Sequence, residues 1–332
     1  MKKTGAKDRP GRRPDMKKKT KIILTSVTAA SVTSGLLAGL YATYRVAFHS
    51  PNGNQNDDFE YRFNDQTRPM SYKIFRMIGA MHAMEYERVS VESFDGHKLI
   101  GRYYEVSKGA PLCICVHGYR GTPARDFSGG ARMLMEMGYN VLMPEQRATG
   151  ESEGRAITFG MKEHKDCKSW IDYAIRRFGT GVKICLVGVS MGATTVLMSA
   201  VDGLPENVKG IAADCPFDSP VEIIKQVAWK DYHIPPFIAG PAAGMAALLY
   251  GHFRLGGLTA SDGAAASQVP ILLIHGEEDR FVPSYMSQRI AEANPQMVTR
   301  VTFPGAGHGI SFLADEEKYK KVTGDFLKRI FA

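Results

Sequence analysis

Cysteine is scarce and scattered in this 332-residue sequence: Cys113, Cys115, Cys167, Cys185 and Cys215. Five thiols without regular spacing exclude a disulfide scaffold. Cys113 and Cys115 lie two apart in an apolar run, which places them on one strand face as buried free thiols. No second C-x-C or C-x-x-C pair exists to complete a zinc site with them. The sequence also lacks H-E-x-x-H, a P-loop, and G-x-G-x-x-G behind a strand, so neither a metal nor a nucleotide cofactor is expected. Nor does the body of the chain carry surplus charge. Residues 1–21 hold ten basic and two acidic side chains, which is the whole formal net charge of +8. The remainder is balanced, 32 against 32, and this excludes a basic nucleic-acid face spread over the domain. With 44% hydrophobic and 23% charged residues, general disorder is excluded too.

Behind the basic tail stands a stretch without charge, residues 22–44, 23 residues long. A bilayer span needs about 20 mostly apolar residues. Tyr41 and Tyr44 close the stretch where aromatic rings favour the membrane interface. It is longer than the apolar core of a cleaved signal peptide and ends without an A-x-A pattern. The expectation is a transmembrane signal anchor over 22–44 behind a cytoplasmic tail (1–21). The protein would then be single-pass in the cell membrane, with its globular part extracytoplasmic. Residues 45–87 read as a polar linker and an N-terminal helix.

From Arg88 onward, β-rich runs alternate with helical patterns. ERVSVES and HKLIGRYYEV form an antiparallel pair joined at Asp95-Gly96. PLCICVHG, NVLMP, KICLVG, VKGIAADC, PILLIHG and RVTFPG read as further strands. Between them, helices are expected over about 124–140, 161–179, 191–201, 284–293 and 315–331. This is an α/β chain with a mostly parallel sheet covered on both faces. Residues 216–268 break the rhythm and read as a small helical cap. Within it, residues 237–251 carry no charge. They are too short to span a bilayer and unusually apolar for a loop, which leaves a cap helix on the core or a surface touching acyl chains or membrane.

One motif carries chemistry. KICLVG runs into Val189-Ser190-Met191-Gly192, a G-x-S-x-G at a strand–turn–helix junction. Such a turn lifts the serine Oγ above the sheet, and the helix N-terminus behind it offers free N–H groups where an oxyanion forms. Three further strand ends carry His117-Gly118-Tyr119, Asp279 in HGEEDRFVP, and His308 in GAGHG. Asp214, behind the strand VKGIAA, competes with Asp279 as the acid, with Glu277 and Glu278 as weaker rivals. Glu145 and Arg147 are expected to pair with each other within their loop.

With HGYRG, EQRATGESEG, GVSMGA, HGEEDRFVP and GAGHG in this order, residues 88–331 resemble the α/β-hydrolase superfamily. The monoglyceride-lipase and serine-aminopeptidase-like group, including its membrane-anchored bacterial members, is the nearest in flavour. The resemblance implies an α/β-hydrolase fold with Ser190 as nucleophile, His308 as general base and Asp279 orienting it. It further implies the backbone N–H groups of Tyr119 and Met191 as oxyanion donors. One loop departs from the pattern: Glu145-Gln146-Arg147-Ala148-Thr149-Gly150-Glu151-Ser152 stands where Asp-x-x-Gly-x-Gly-x-Ser is common. The implied activity is a carboxylesterase- or lipase-like serine hydrolase acting on small-molecule or lipid esters. Amide hydrolysis is the alternative, and a binding module that kept the fold is the least favoured.

Overall fold

The computed structural model describes residues 33–50 and 64–332. The expected basic tail, the first half of the expected anchor and most of the expected linker lie outside the described residues. The remainder of the anchor stretch belongs to a helix over 33–47, here α1. Among the described residues, no single helix is long and apolar enough to cross a membrane.

After a short 3-10 turn (Arg68–Met70) come α2 (Ser71–His82), β1 (Glu87–Glu92), β2 (Lys98–Tyr104), β3 (Leu112–Val116), α3 (Pro123–Asp126), α4 (Gly130–Glu136) and β4 (Asn140–Pro144). The chain continues through α5 (Glu163–Phe178), β5 (Ile184–Val189), α6 (Met191–Met198), β6 (Val208–Asp214), α7 (Pro220–Tyr232) and α8 (Pro236–Gly251). It closes with α9 (Ala260–Ala266), β7 (Ile271–Gly276), α10 (Tyr285–Ala293), β8 (Val298–Phe303), α11 (Ser311–Ala314) and α12 (Glu316–Phe331). The eight strands form one sheet in the order β1-β2-β4-β3-β5-β6-β7-β8. The β1–β2 and β2–β4 pairs are antiparallel and all the others parallel. The Asp95-Gly96 turn joins the first pair, with Gly96 at φ 82°.

Side chains alternate across each strand, so the central strands feed two cores. Ile114, Leu186, Ile211 and Leu273 face Trp170 and Ile171 of α5 and Leu197 of α6. Cys113, Cys115, Cys185 and Ile274 face the opposite way, toward Leu134 of α4 and Phe326 and Leu327 of α12. Strands buried on both faces explain the continuous apolar runs of the sequence. All five cysteines are free and buried.

The structure differs from the sequence expectation in two stretches. The single helix expected over 124–140 is two, α3 and α4, broken at Phe127–Gly129. Gly129 meets Met77 and Phe312 so closely that any Cβ there would overlap them. The cap is also shorter than 216–268. α9 belongs to the main body and packs on α6 so tightly that a Cβ on Gly263 would overlap the Leu197 carbonyl. A capping box marks its start: the Thr259 side chain accepts from Asp262 N–H, and the Asp262 carboxylate accepts from Thr259 N–H. The excursion proper is α7 and α8, bent by 120° about Pro235-Pro236.

Candidate active site

β5 ends at Val189, and α6 begins at Met191 with Ser190 alone between them. Ser190 sits at φ 55° and ψ −119°, a conformation that side chains rarely adopt. The crossing of strand and helix enforces it. A Cβ on Gly188 would overlap the Gly192 carbonyl oxygen, and one on Gly192 would overlap the Val116 carbonyl oxygen. Both positions therefore require glycine. The Ser190 N–H donates to the Asp214 carbonyl at 2.8 Å, pinning the turn to the neighbouring β6.

The structure brings Ser190, His308 and Asp279 into one hydrogen-bonded line. His308 Nε2 lies 2.9 Å from Ser190 Oγ, and His308 Nδ1 lies 2.7 Å from Asp279 Oδ2. The Asp279 carboxylate therefore fixes the ring with its proton on Nδ1 and the Nε2 lone pair toward the serine. Asp279 Oδ1 accepts N–H bonds from Phe281 (2.9 Å) and Val282 (2.8 Å). Burial alone would raise the Asp279 pKa. His308, His275 and the Val282 N–H outweigh that and hold the carboxyl well below its usual range. The Phe281 ring lies 5.0 Å from the His308 ring and shields one side of it.

Asp214, the rival acid, is placed otherwise. It is buried at the end of β6, with Oδ1 3.5 Å from the Ser311 hydroxyl and a further hydrogen bond from Tyr319. Burial pushes its carboxyl up to about 6. Glu277 accepts from the Thr302 hydroxyl at 2.6 Å, and Glu278 receives Gln66 Nε2 at 3.4 Å, both outside the line.

Met191 follows the serine directly, and Gly118, one residue before Tyr119, lies so near that a Cβ there would touch the Ser190 side chain. Met191 opens α6, so its N–H belongs to the first turn, whose amides have no carbonyl partner within the helix. Tyr119 follows β3 in a loop held from both sides. On the inner side, Asp126 Oδ2 accepts the Gly118 N–H at 2.8 Å, while Arg125 Nε donates to Asp126 Oδ1 at 2.9 Å. On the outer side, the Tyr119 hydroxyl donates to the Ala47 carbonyl at 2.9 Å. Arg120 Nη2 donates to the carbonyls of Val46 (2.9 Å) and His49 (3.3 Å). This outer support, the end of α1 and the residues behind it, is itself anchored. Phe48 is completely buried against Phe159 and Phe253, the Ile157 N–H donates to the Phe48 carbonyl, and Ser50 N–H donates to the Arg155 carbonyl. The Tyr119 ring stacks on Phe159 at 5.0 Å.

Sequence reasoning missed this arm and two further neighbours, Asp126 and His275. His275 is fully buried, with Nε2 2.9 Å from the Val282 carbonyl and 3.4 Å from Asp279 Oδ2. It stands in the HGEEDRFVP motif, so the signal was in view. The expected Glu145–Arg147 pair is corrected. Arg147 grips Asp166 with two bonds of 2.6 Å and Asp95 with two of 3.0 Å, whereas Glu145 faces Arg102 at 3.5 Å and accepts the Glu151 N–H. Both partners lie far along the chain, where loop-local reasoning cannot reach. His117 receives the Gln146 N–H on Nε2 at 3.0 Å and thereby fastens this loop to the end of β3.

Chemically, the arrangement can deprotonate a serine hydroxyl, hold the proton on an oriented imidazole, and offer backbone donors to a nascent oxyanion. Comparisons with known proteins agree at the level of fold and family. The uncharacterized protein YqkD of Bacillus subtilis is 24% identical over 195 residues, 59% of this chain. The match spans 64% of that relative's own length. The Pyrococcus furiosus esterase Pf2001 superposes with a TM-score of 0.63 at 21% identity, covering 86% of this chain and all of the esterase. Est1E from Butyrivibrio proteoclasticus, solved with ferulic acid bound, gives a TM-score of 0.57 at 20% identity over 73% of this chain and 99% of that one. Residues 113–321 match the Alpha/beta hydrolase family, and that span takes in the serine turn, Asp279 and His308: the chain belongs to this family.

Proposed function

We propose that the protein is a serine hydrolase that cleaves carboxylic esters through an acyl-enzyme. The observation that carries this reading is the unbroken line Ser190–His308–Asp279 at the strained β5–α6 turn. Ser190 Oγ attacks the acyl carbon and its proton passes to His308 Nε2. Asp279 stabilises the imidazolium that results. The Tyr119 and Met191 N–H groups receive the oxyanion; losing one such donor typically costs about 2.7–4 kcal/mol of barrier. Collapse expels the alcohol, which takes the proton from His308. Water, deprotonated by the same Nε2, then attacks the acyl-enzyme and releases the acid and Ser190.

The solved neighbours described as esterases favour an ester over an amide bond within this reading. The apolar cluster beside Ser190, which includes Met191, Phe159 and Phe217, suits an acyl group. A fluorophosphonate probe and a short-chain p-nitrophenyl ester test it together. The wild type should be labelled and should turn over the ester, and Ser190→Ala should lose both. Equal labelling of Ser190→Ala, or no labelling of the wild type, would refute the assignment.

We further propose that residues 22–44 anchor the chain in the cell membrane with the hydrolase outside. The support is the uncharged 23-residue stretch behind ten basic side chains. Protease added to intact cells should digest the domain and spare the tail. Protection of the domain would overturn the orientation.

A further inference from the structure

α8 is built inside out. Its buried face is made of Ala239, Gly240, Ala243, Ala246 and Ala247. Its large side chains, Phe237, Ile238, Met245, Leu248 and Leu249, point outward, with Phe237 77% and Leu248 52% exposed. A helix that packs only on its own protein keeps its large apolar residues inside and polar ones out. Here the small residues serve close approach, and a Cβ on Gly240 would overlap Lys225 of α7. No charged residue occurs anywhere in α8. The apolar surface continues over the turn between α7 and α8 through Trp229, Tyr232 and Ile234, all exposed.

This surface is continuous with α1. The Tyr41 and Tyr250 rings meet edge to face at 5.3 Å, and the Tyr250 hydroxyl donates to the Leu37 carbonyl at 3.1 Å. Leu36, Leu37 and Tyr41 of α1 are exposed as well. α1 contains the second half of the uncharged stretch 22–44. Whatever layer receives that stretch also lies against the flank of α8. The charges bordering the patch suit phosphate headgroups: over 225–254 there are Lys225, Lys230 and Arg254 against Asp231 alone.

We infer that the outer face of α8, together with the α7–α8 turn, lies in the interface of a phospholipid bilayer beside the anchor helix. The domain is then held by two contacts and cannot swing freely on its tether. The inner face of α8 packs on the same cluster that holds Met191 and Phe159, so the lipid contact adjoins the acyl-facing wall of the site. The inference rests on the anchoring proposed above and is testable apart from it.

The five native thiols are buried, so one introduced surface cysteine takes a fluorophore selectively. The full-length protein is reconstituted in vesicles of phosphatidylethanolamine and phosphatidylglycerol containing a lipid with a nitroxide on its acyl chain. Fluorophores at Leu248→Cys and Phe237→Cys should be quenched several-fold more than one at Lys321→Cys on exposed α12. Quenching no greater than at Lys321→Cys overturns the inference. Should Leu37→Cys be quenched while Leu248→Cys is not, the anchor stands and the α8 contact falls. Unquenched Leu248→Cys that cross-links between two copies would assign the face to a second chain, which also overturns it.

Discussion

The two sides of the candidate site are held by different parts of the chain. Ser190, Asp279 and His308 follow the ends of the parallel strands β5, β7 and β8, with β6 between the first two, and are fixed by the sheet itself. The Tyr119 loop is braced on its outer side by residues 46–49, some 72 positions upstream and outside the family match. One side is thus intrinsic to the fold, and the other depends on a segment that also leads back to the proposed anchor. Distances within the triad should survive damage to the arm, whereas oxyanion geometry should not.

Asp279→Asn cuts the intrinsic side. The amide no longer imposes the Nδ1–H form of His308, and kcat should fall by about 10⁴-fold with the fold intact. Steady-state ester hydrolysis beside a thermal melt checks this. Phe48→Ala cuts the dependent side and should cost about 3–5 kcal/mol of packing. Hydrogen exchange should then accelerate at Tyr119–Gly121 and stay slow in β5. Uniform acceleration would mean that the arm is part of one cooperative unit, and the contrast would fail.

Asp214→Asn probes whether the intrinsic side carries strain. Burial raises the folded pKa of Asp214 to about 6, above the unfolded carboxylate value. Above that pH the folded state holds a buried charge that the unfolded state hydrates, so wild-type stability falls as pH rises through the window between the two values. The asparagine variant should be about 1–3 kcal/mol more stable near neutral pH. The advantage should vanish under acid conditions, where Asp214 is protonated in both states. Melts across pH read it, and a pH-independent difference would point to lost hydrogen bonds instead. Tyr119→Phe is the mildest cut. It keeps the stacking on Phe159 and removes only the hydroxyl bonds to residues 46 and 47. A drop in kcat of about 2–10-fold with KM little changed is expected, the size of one net hydrogen bond. An unchanged kcat would show that Arg120 and Asp126 suffice to hold the loop.

The same division explains what was legible in the sequence. The serine turn announces itself through Gly188 and Gly192, because steric exclusion at a crossing is local. Asp279 and His308 follow strand ends recognisable by their apolar runs. The arm has no such signature: Phe48 trails the aromatic residues Tyr41 and Tyr44 at the end of an apolar segment, and its partners Phe159 and Phe253 are over a hundred residues away. Arg147 reads as a loop residue until Asp95 and Asp166 arrive from other elements. The start of α9 was readable in Thr259-Ala260-Ser261-Asp262, but the apolar α8 before it drew the whole stretch into the cap.

The buried cysteines have a practical consequence. Burial pushes Cys167 up to about 12 and the other four thiols upward as well, so all five remain protonated and screened at neutral pH. A soft electrophile that would modify a thiolate finds none here, although Cys215 lies within 4.8 Å of Asp279 and His308. Warheads chosen for cysteine should leave the protein untouched even beside its candidate site. A phosphonylating agent aimed at Ser190, the proposed nucleophile, would therefore meet no competing thiolate in this chain.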